Sequence, residues 1–370
     1  MNTKEKIINF IKREVVLCIA IVLAIITCFF VPIDKEYLNY FDYNTLVLLF
    51  CMLAVVAGLK STNIFELISR KIISLFHTRR TVIYALIFGT FFFDMIVAND
   101  MSLITFLPLT YIVLHSTKND KYLAFTFIMQ TIAANMGGMI TPYGNPQNLY
   151  LYSYYNINTT EFFSILIIQS IVVAILLYIC CSFIKNEPLK LKRKSKIIIS
   201  KNKLYIYAVL FALVILGIFR VLPYMLILAI VILTIAITDT KRFKDVDYAL
   251  LATFFVFFIF SGNIARIEII KEFISKIVVK NTLLAGIVSC QFISNVPTAI
   301  FLSKFTNNYK DLLISVNIGS LGIIISSLAS LITLKEFLKH RPKEIWKYLG
   351  MFTVFNTLFL VVLLGITKIT

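Results

Sequence analysis

Residues 133–152 read AANMGGMITPYGNPQNLYLY and lie between two strongly apolar segments. Between Asn135 and Asn148 stand three Gly, two Pro, three Asn and a Gln. Gly137, Gly138 and Gly144 let the backbone leave helical dihedrals. Pro142 and Pro146 remove donors and block continuation of a helix. Peptide groups in hydrocarbon must be paired, so an interrupted helix is tolerated there only where the freed groups face protein, water or a solute. Half-helix N-termini then offer partial positive charge to an anion, and free carbonyls offer a seat to Na+. Asn135, Thr141, Asn145, Gln147 and Asn148 add amides and a hydroxyl. Taken alone, the stretch also suits a kinked helix and an external loop with solvated amides.

The surrounding sequence favours the membrane. The chain has 370 residues, 59% of them hydrophobic and 15% charged, with 33 Phe; its mean hydropathy is +0.88. A soluble fold could not hide that much apolar surface. Apolar runs able to cross a core about 30 Å thick recur along nearly the whole length. The alternating ten-residue pattern of a membrane β-barrel is missing. The fold class is therefore an all-α polytopic membrane protein with about 9–11 membrane segments in contact with the lipid bilayer. The net charge of +17 does not indicate nucleic acid, because the basic residues fall in short loops between spans, as cytoplasmic loops require. All six Cys (18, 28, 51, 180, 181 and 290) fall inside apolar runs, against a disulfide framework or a metal cluster. Lys4, Lys6, Lys12 and Arg13 precede an apolar run with no small-x-small cleavage site, which reads as an uncleaved first span.

Spans are expected near 15–32, 45–59, 162–184, 204–220, 223–238, 247–262 and 346–368. Broken pairs are expected at 82–97 with 100–115 and within 281–304, and further segments at 122–154 and 311–333. Lys and Arg place the N-terminus, 60–81, the basic segment 185–203, 239–246 and 335–347 in the cytoplasm, so the C-terminus emerges outside, in a plasma membrane. "VANDMS" then sits at the turn of a first hairpin, 82–115, and "FISNVPTA" at the turn of a second, 281–304. The organisation is a first span and external loop (1–44), a first repeat (45–184), a basic loop with linker spans (185–246) and a second repeat (247–370).

The two repeats correspond. Phe65, Ile68, Ile72 and Leu75 form an apolar helical stripe suited to the interface, and Ile267, Ile270, Ile274 and Ile277 form another. Asn99 and Asn295 mark the hairpin turns; Asn135-Met136-Gly137 and Asn317-Ile318-Gly319 follow them. By the charge rule the halves run in opposite senses. An inverted repeat with broken helices is the pattern of a secondary transporter whose site lies at the repeat interface. Asp94 and Asp100 are carboxylates at membrane depth, where such groups are costly and usually functional; Asp94 suits a cavity and a neighbouring helix equally. Asp100, at the tip, is the stronger candidate for a proton- or Na+-linked role, with a helix N-cap as its structural alternative. His77, His115 and His340 read as solvated cytoplasmic groups, and Trp346, Tyr348 and the tyrosines of 150–155 as interfacial anchors.

"ANDMSLITFLPL" with "NMGGMITPYGNPQNLYLY", and "FISNVPTAIFLSKF" with "NIGSLGIIISSLASLI", resemble the ion transporter superfamily. More narrowly they resemble its citrate-transporter-like permeases, which include arsenite-efflux permeases and divalent-anion/sodium symporters. The resemblance spans roughly 45–335. It implies two re-entrant hairpins whose tips contact substrate and cation, two unwound helices completing the site, elevator-type alternating access and, in many members, a homodimer. Carried over by position, Asn99 and Ser294-Asn295 are tip residues, and Gly137 to Asn145 and Asn317 to Ser327 are the unwound segments. The implied site comprises Asn99, Asp100, Ser102, Asn135, Gly137, Gly138, Thr141, Gly144, Asn145, Ser294, Asn295, Thr298, Asn317, Gly319, Ser320 and Ser326. Na+ would be held through Asn99, Gly137, Asn295 and Gly319, with no other cofactor. The expected function is secondary transport of a small anion coupled to Na+ or H+, with arsenite or antimonite efflux, or Na+/H+ exchange, as alternatives. The first tip reads Ala-Asn-Asp where the symporters have Ser-Asn-Thr, which puts a carboxylate where a dicarboxylate would approach. No HExxH, GxSxG or P-loop motif supports an intramembrane enzyme.

Overall fold

The computed structural model of the chain describes residues 5, 14–189 and 197–369. Lys4, Lys6, Lys12, Arg13 and the centre of the basic segment, 190–196, lie outside the described residues. The helices are α1 (Val15–Cys28), α2 (Tyr43–Ser61), α3 (Ile64–Ser74), α4 (Arg79–Asp94), α5 (Asn99–Ser116), α6 (Leu123–Gly137), α7 (Pro146–Tyr154), α8 (Thr159–Ser182), α9 (Lys201–Ile218), α10 (Tyr224–Thr238), α11 (Tyr248–Arg266), α12 (Glu268–Lys280), α13 (Thr282–Ile293), α14 (Asn295–Leu302), α15 (Tyr309–Ile318), α16 (Leu328–His340) and α17 (Ile345–Thr367). Among the described residues the only extended pairing is an isolated bridge between Thr78 and Pro188.

Among the described residues six helical stretches are long and apolar enough to cross a membrane: α2, Asp120–Ile140, α8, α9, α11 and Pro342–Thr367. α1 and α10 are apolar but have 14 and 15 residues, which gives each a length of about 21–22 Å. The chain is an all-α polytopic membrane protein. Side chains fix where several helices start: Asp42 accepts from the Thr45 N–H at 3.1 Å, and Asp247 from the Leu250 N–H at 3.0 Å. Each bond satisfies one of the donors that a helix leaves unpaired at its N-terminus.

The halves match element for element. α2–α3–α4–α5 correspond to α11–α12–α13–α14, α6 and α7 to α15 and α16, and α8 to α17. In each half the interrupted helix carries a 3₁₀ turn inside its break, Gly138–Ile140 in one and Ile324–Ser326 in the other. The packing between halves is reciprocal: α5 of the first lies on α16 of the second, and α14 of the second lies on α7 of the first. A two-fold relation between repeats requires such an exchange. α13 and α14, of 12 and 8 residues, reach only about 18 and 12 Å, too short for a 30 Å core, so this hairpin is re-entrant. α4 and α5 are longer, about 24–27 Å.

α9 and α10 pack on α2, and α1 packs on α11. The end of α11 is clamped to the loop between α1 and α2. Arg266 grips Asp34 through two bonds of 2.6 and 2.9 Å and donates to the Tyr40 hydroxyl at 3.0 Å. Asn263 joins Tyr40 and Thr27 at 3.1 and 3.2 Å.

Two expectations are corrected. Tyr150, Tyr152 and Tyr348 are not interfacial anchors but buried core residues. Tyr150 shares a 2.7 Å hydrogen bond with Ser303, Tyr152 another with Thr159, and Tyr348 stacks on Phe337. A buried tyrosine hydroxyl usually finds a hydrogen-bond partner, and tertiary contacts supply one for Tyr150 and Tyr152. Trp346 is exposed, as an anchor should be. His340 is not free in solvent either; its ring stacks on Tyr111 with centroids 3.5 Å apart. The stripe on α3 is divided, with Phe65 buried and Ile68 and Leu75 exposed, while α12 presents Ile269, Phe273 and Ile277 outward.

Candidate functional site

At the first break α6 ends at Gly137, and after the 3₁₀ turn the chain runs extended at Thr141 and again at Asn145 before Pro146 starts α7. The glycines are required by close approach. A Cβ on Gly137 would stand 2.2 Å from the Phe91 carbonyl, and one on Gly144 2.3 Å from the Gly138 carbonyl. The exposed peptide groups are largely taken up by neighbours. The Asn148 amide donates to the carbonyls of Gly138, Met139 and Thr141 at 3.4, 3.1 and 3.4 Å. Thr141 donates to the Met95 carbonyl at 3.0 Å, which ties the break to the first hairpin.

The second break has no proline and uses other means. Gly322 adopts φ +116°, open to glycine but strained for an L side chain. Gln291 bridges the gap, donating to the carbonyls of Gly319 and Leu321 at 2.9 and 3.0 Å and accepting from the Ile323 N–H at 3.1 Å. At the second tip, Ser294 alone separates α13 from α14, with φ 72° and ψ 162°. That conformation is almost confined to glycine, and such strain concentrates at functional sites. Ser294 donates to Asn295 Oδ1 at 3.3 Å and to the Ser326 carbonyl at 3.4 Å, joining tip to break.

The breaks exchange side chains across the repeat interface. Asn135, ending the first half-helix, donates to Ser327 at 3.0 Å; its counterpart Asn317 donates to Asn148 Oδ1 at 2.7 Å. Gln147 donates to Asn317 Oδ1 at 3.4 Å.

Beside these lies a cavity of about 270 Å³. The first residues of four half-helices line it: Asn99 of α5, Pro146 of α7, Asn295 of α14 and Leu328 of α16. Asp100, Gln147 and Ser294 add polar groups, and Asp247, Thr253 and Phe257 form the opposing wall on α11 and its N-cap. Glu14, Lys335 and Asp247 supply its charged edge. Helix N-termini carry the positive end of the helix dipole, and four of them converge on this one space.

The sequence profile described as "Citrate transporter" matches residues 4–313. The chain belongs to the citrate transporter family. It is 33% identical over 338 residues to an uncharacterized transporter of Methanocaldococcus jannaschii, covering 90% of this chain and 92% of the relative. It is 23% identical to the inner membrane protein YbiR of Escherichia coli K12, covering 88% of each. A Dictyostelium discoideum transporter named arsB is 28% identical over 144 residues, which is 37% of this chain and 24% of the relative. The chain is a multi-pass secondary transporter.

In this citrate transporter family member the expected site residues divide into two groups. Asn99, Asp100, Ser294 and Asn295 line the cavity. Ser102, Asn135, Gly137, Gly138, Thr141, Gly144, Asn145, Thr298, Asn317, Gly319, Ser320 and Ser326 stand behind it. Several of the latter are committed to structure: Thr298 donates to the Ser294 carbonyl at 2.7 Å, Ser320 to the Asn317 carbonyl at 2.6 Å and Ser326 to the Ser320 carbonyl at 2.6 Å. The Gly319 carbonyl, expected to be free for Na+, already accepts from Gln291. Asp100 is not the N-cap of α5; Ala98 is, and Asp100 lies in the first turn with Oδ1 unpaired. The α11 wall, with Asp247 as its polar group, was not marked by any local motif. Gln291 was also missed; a lone Gln in an apolar run was its one signal.

Proposed function

We propose that the chain carries a small anion, a carboxylate or an inorganic oxyanion, coupled to Na+ or H+. The observation that carries this reading is the convergence of four helix N-termini on one small cavity. Its volume lies just below the ~300–1,000 Å³ typical of sites for drug-sized ligands. The family description supports the same class of solute. Asn99 and Asn295 supply tip amides that fix orientation, Ser294 a hydroxyl, and the positive ends of the converging helix dipoles the main attraction. Asp100 lies in the first turn of α5, so an incoming anion is favoured when that carboxylate is neutralised, which links anion binding to a cation. Coupling by an elevator follows from the two walls: tips and broken helices form one side, α1 and α11 the other, and the first slides against the second. Glu14, Asp247 and Lys335 fall in segments that the charge rule assigns to the cytoplasm, so the cavity opens inward. The same rule puts the N-terminus inside and the C-terminus outside in a plasma membrane. The functional unit is a homodimer.

The test is uptake by proteoliposomes with a Na+ gradient and a pH gradient imposed separately. Citrate, succinate, sulfate and phosphate are the first solutes. Accumulation that follows one cation gradient is expected; flux indifferent to both gradients contradicts coupling and describes a channel. Efflux of arsenite or antimonite is the second reading, favoured by the relative named arsB; resistance to arsenite in a sensitive host would carry it.

A further inference from the structure

Behind the cavity a second polar site joins the first hairpin to the first break. Asp94, the last residue of α4, is fully buried, and so is Asn145. Asp94 Oδ1 accepts from the Ser102 hydroxyl at 2.9 Å. Among the described residues its Oδ2 has no hydrogen-bond partner, and Asn145 Oδ1 has none either. A Cβ built on Gly138 would stand 2.3 Å from the first and 2.7 Å from the second, so both border one small space that only glycine leaves open. The orientation of the Asn145 amide is fixed by its nitrogen, which donates to the Asn135 carbonyl at 3.1 Å. Oδ1 is therefore the end turned to the space beside Gly138. Two acceptors cannot satisfy one another, and an unpaired buried polar atom is costly. A hydrogen or a cation in that space would pair both.

We propose that Asp94 and Asn145 form the proton site of this transporter: the Asp94 carboxyl carries a hydrogen on Oδ2 and donates it to Asn145 Oδ1. The proposal rests on the secondary-transport reading and names its coupling ion. A proton needs one donor bond and one acceptor, and the space provides both. Na+ needs several oxygens, and Asp94 Oδ1 is already engaged with Ser102. Release breaks the O–H bond, leaves its electron pair on the carboxylate and passes the proton to water. The anionic carboxylate then faces the Asn145 oxygen with nothing between, which pushes the break from the hairpin. The Ser102 hydroxyl also lies 2.9 Å from the Asn99 carbonyl, and its single hydrogen is shared between that acceptor and Asp94, so the change reaches the tip. Asn145 immediately precedes Pro146 and Gln147 on the cavity wall. One proton thus clamps two of the four converging helix starts.

Among charged groups on the helices packed against α4, Asp100 of α5 faces Asp94. α6 has no titratable side chain. Elsewhere His115 pairs with Asp120, Glu66 with Arg70 and Glu161 with Lys310.

The test is infrared difference spectroscopy of the reconstituted protein labelled with ¹³C-aspartate, without any transported solute. Asp100→Asn is expected to keep the C=O stretch of a protonated aspartic acid near neutral pH, and the doubly substituted protein, Asp94→Asn with Asp100→Asn, to lose it. The absence of that band in Asp100→Asn overturns the proposal, as does its survival in the double variant. Gly138→Ala serves as a second variant, because its methyl group fills the space; an unshifted band there also overturns it. Stabilisation of wild type by NaCl over choline chloride at fixed pH, abolished in Asp94→Asn, assigns the site to Na+ and refutes the proton. None of these readouts needs a bound anion, so failure to find a transported anion would be a separate result.

Discussion

Replacing Gly322 by Ala should dismantle the second break without touching the cavity. Gly322 has φ +116°, and its Cβ would lie 2.3 Å from Gln291 Oε1. The backbone strain is worth about 1–3 kcal/mol. Gln291 must also withdraw, giving up bonds to Gly319, Leu321 and Ile323, at about 0.6 kcal/mol each inside a membrane protein. Together these make about 3–5 kcal/mol. Gly350→Ala is the control: nothing lies within 4 Å of its added methyl group, and alanine in a helix interior gains up to about 1 kcal/mol. Both variants are compared with wild type by detergent-induced unfolding in mixed micelles, followed by fluorescence. Equal unfolding midpoints for Gly322→Ala and Gly350→Ala would refute the role given to Gly322 and Gln291.

Ser294→Gly should relieve the strained tip and raise stability by roughly 1 kcal/mol while weakening anion binding, because the hydroxyl that joins tip to break is gone; thermal melting and calorimetry read the two effects. Arg266 holds the Asp34 carboxyl below its ordinary value, chiefly through their hydrogen bond. Because the folded value is depressed, the resulting stability is present above the unfolded-state pKa of about 3.9 and is lost as pH falls through the lower folded value. The melting-temperature gap between wild type and Arg266→Gln should therefore be flat from about pH 5 to 8 and shrink below about pH 4; a gap that widens in acid contradicts the assignment. Tyr150→Phe should cost about 0.5–1.5 kcal/mol through the lost bond to Ser303, whereas Trp346→Phe should be nearly neutral; the reverse order in unfolding midpoints would restore the anchor reading.

The membrane class and the order of segments were legible because hydropathy and helix length are set locally by the bilayer. The first break was legible because Pro142, Pro146 and three glycines announce it. The second was harder, since Gly322 and a distant Gln291 do the work that prolines do in the first. Asn135 and Asn317 could be paired in sequence through the repeat, but their bonds to Ser327 and Asn148 could not, because those partners lie on the opposite half. The tyrosines of α7 misled for the same reason: their spacing fits an interface, and only the neighbouring Ser303 and Thr159 show them to be buried. Asp94 could be flagged by the expense of a carboxylate in an apolar run; that it faces Asn145 across Gly138 depends on how hairpin and break are packed.

The most direct measurement is the melting temperature of the purified protein across a panel of small carboxylates and oxyanions, in wild type, Asn99→Ala and Asn295→Ala. At least one anion should raise the wild-type melting temperature, and each tip substitution should weaken that anion's binding about tenfold or more, the scale of one lost hydrogen bond in a buried site. A panel in which no anion acts, or a shift that survives in both variants, would contradict an anion held between the hairpin tips and the broken helices.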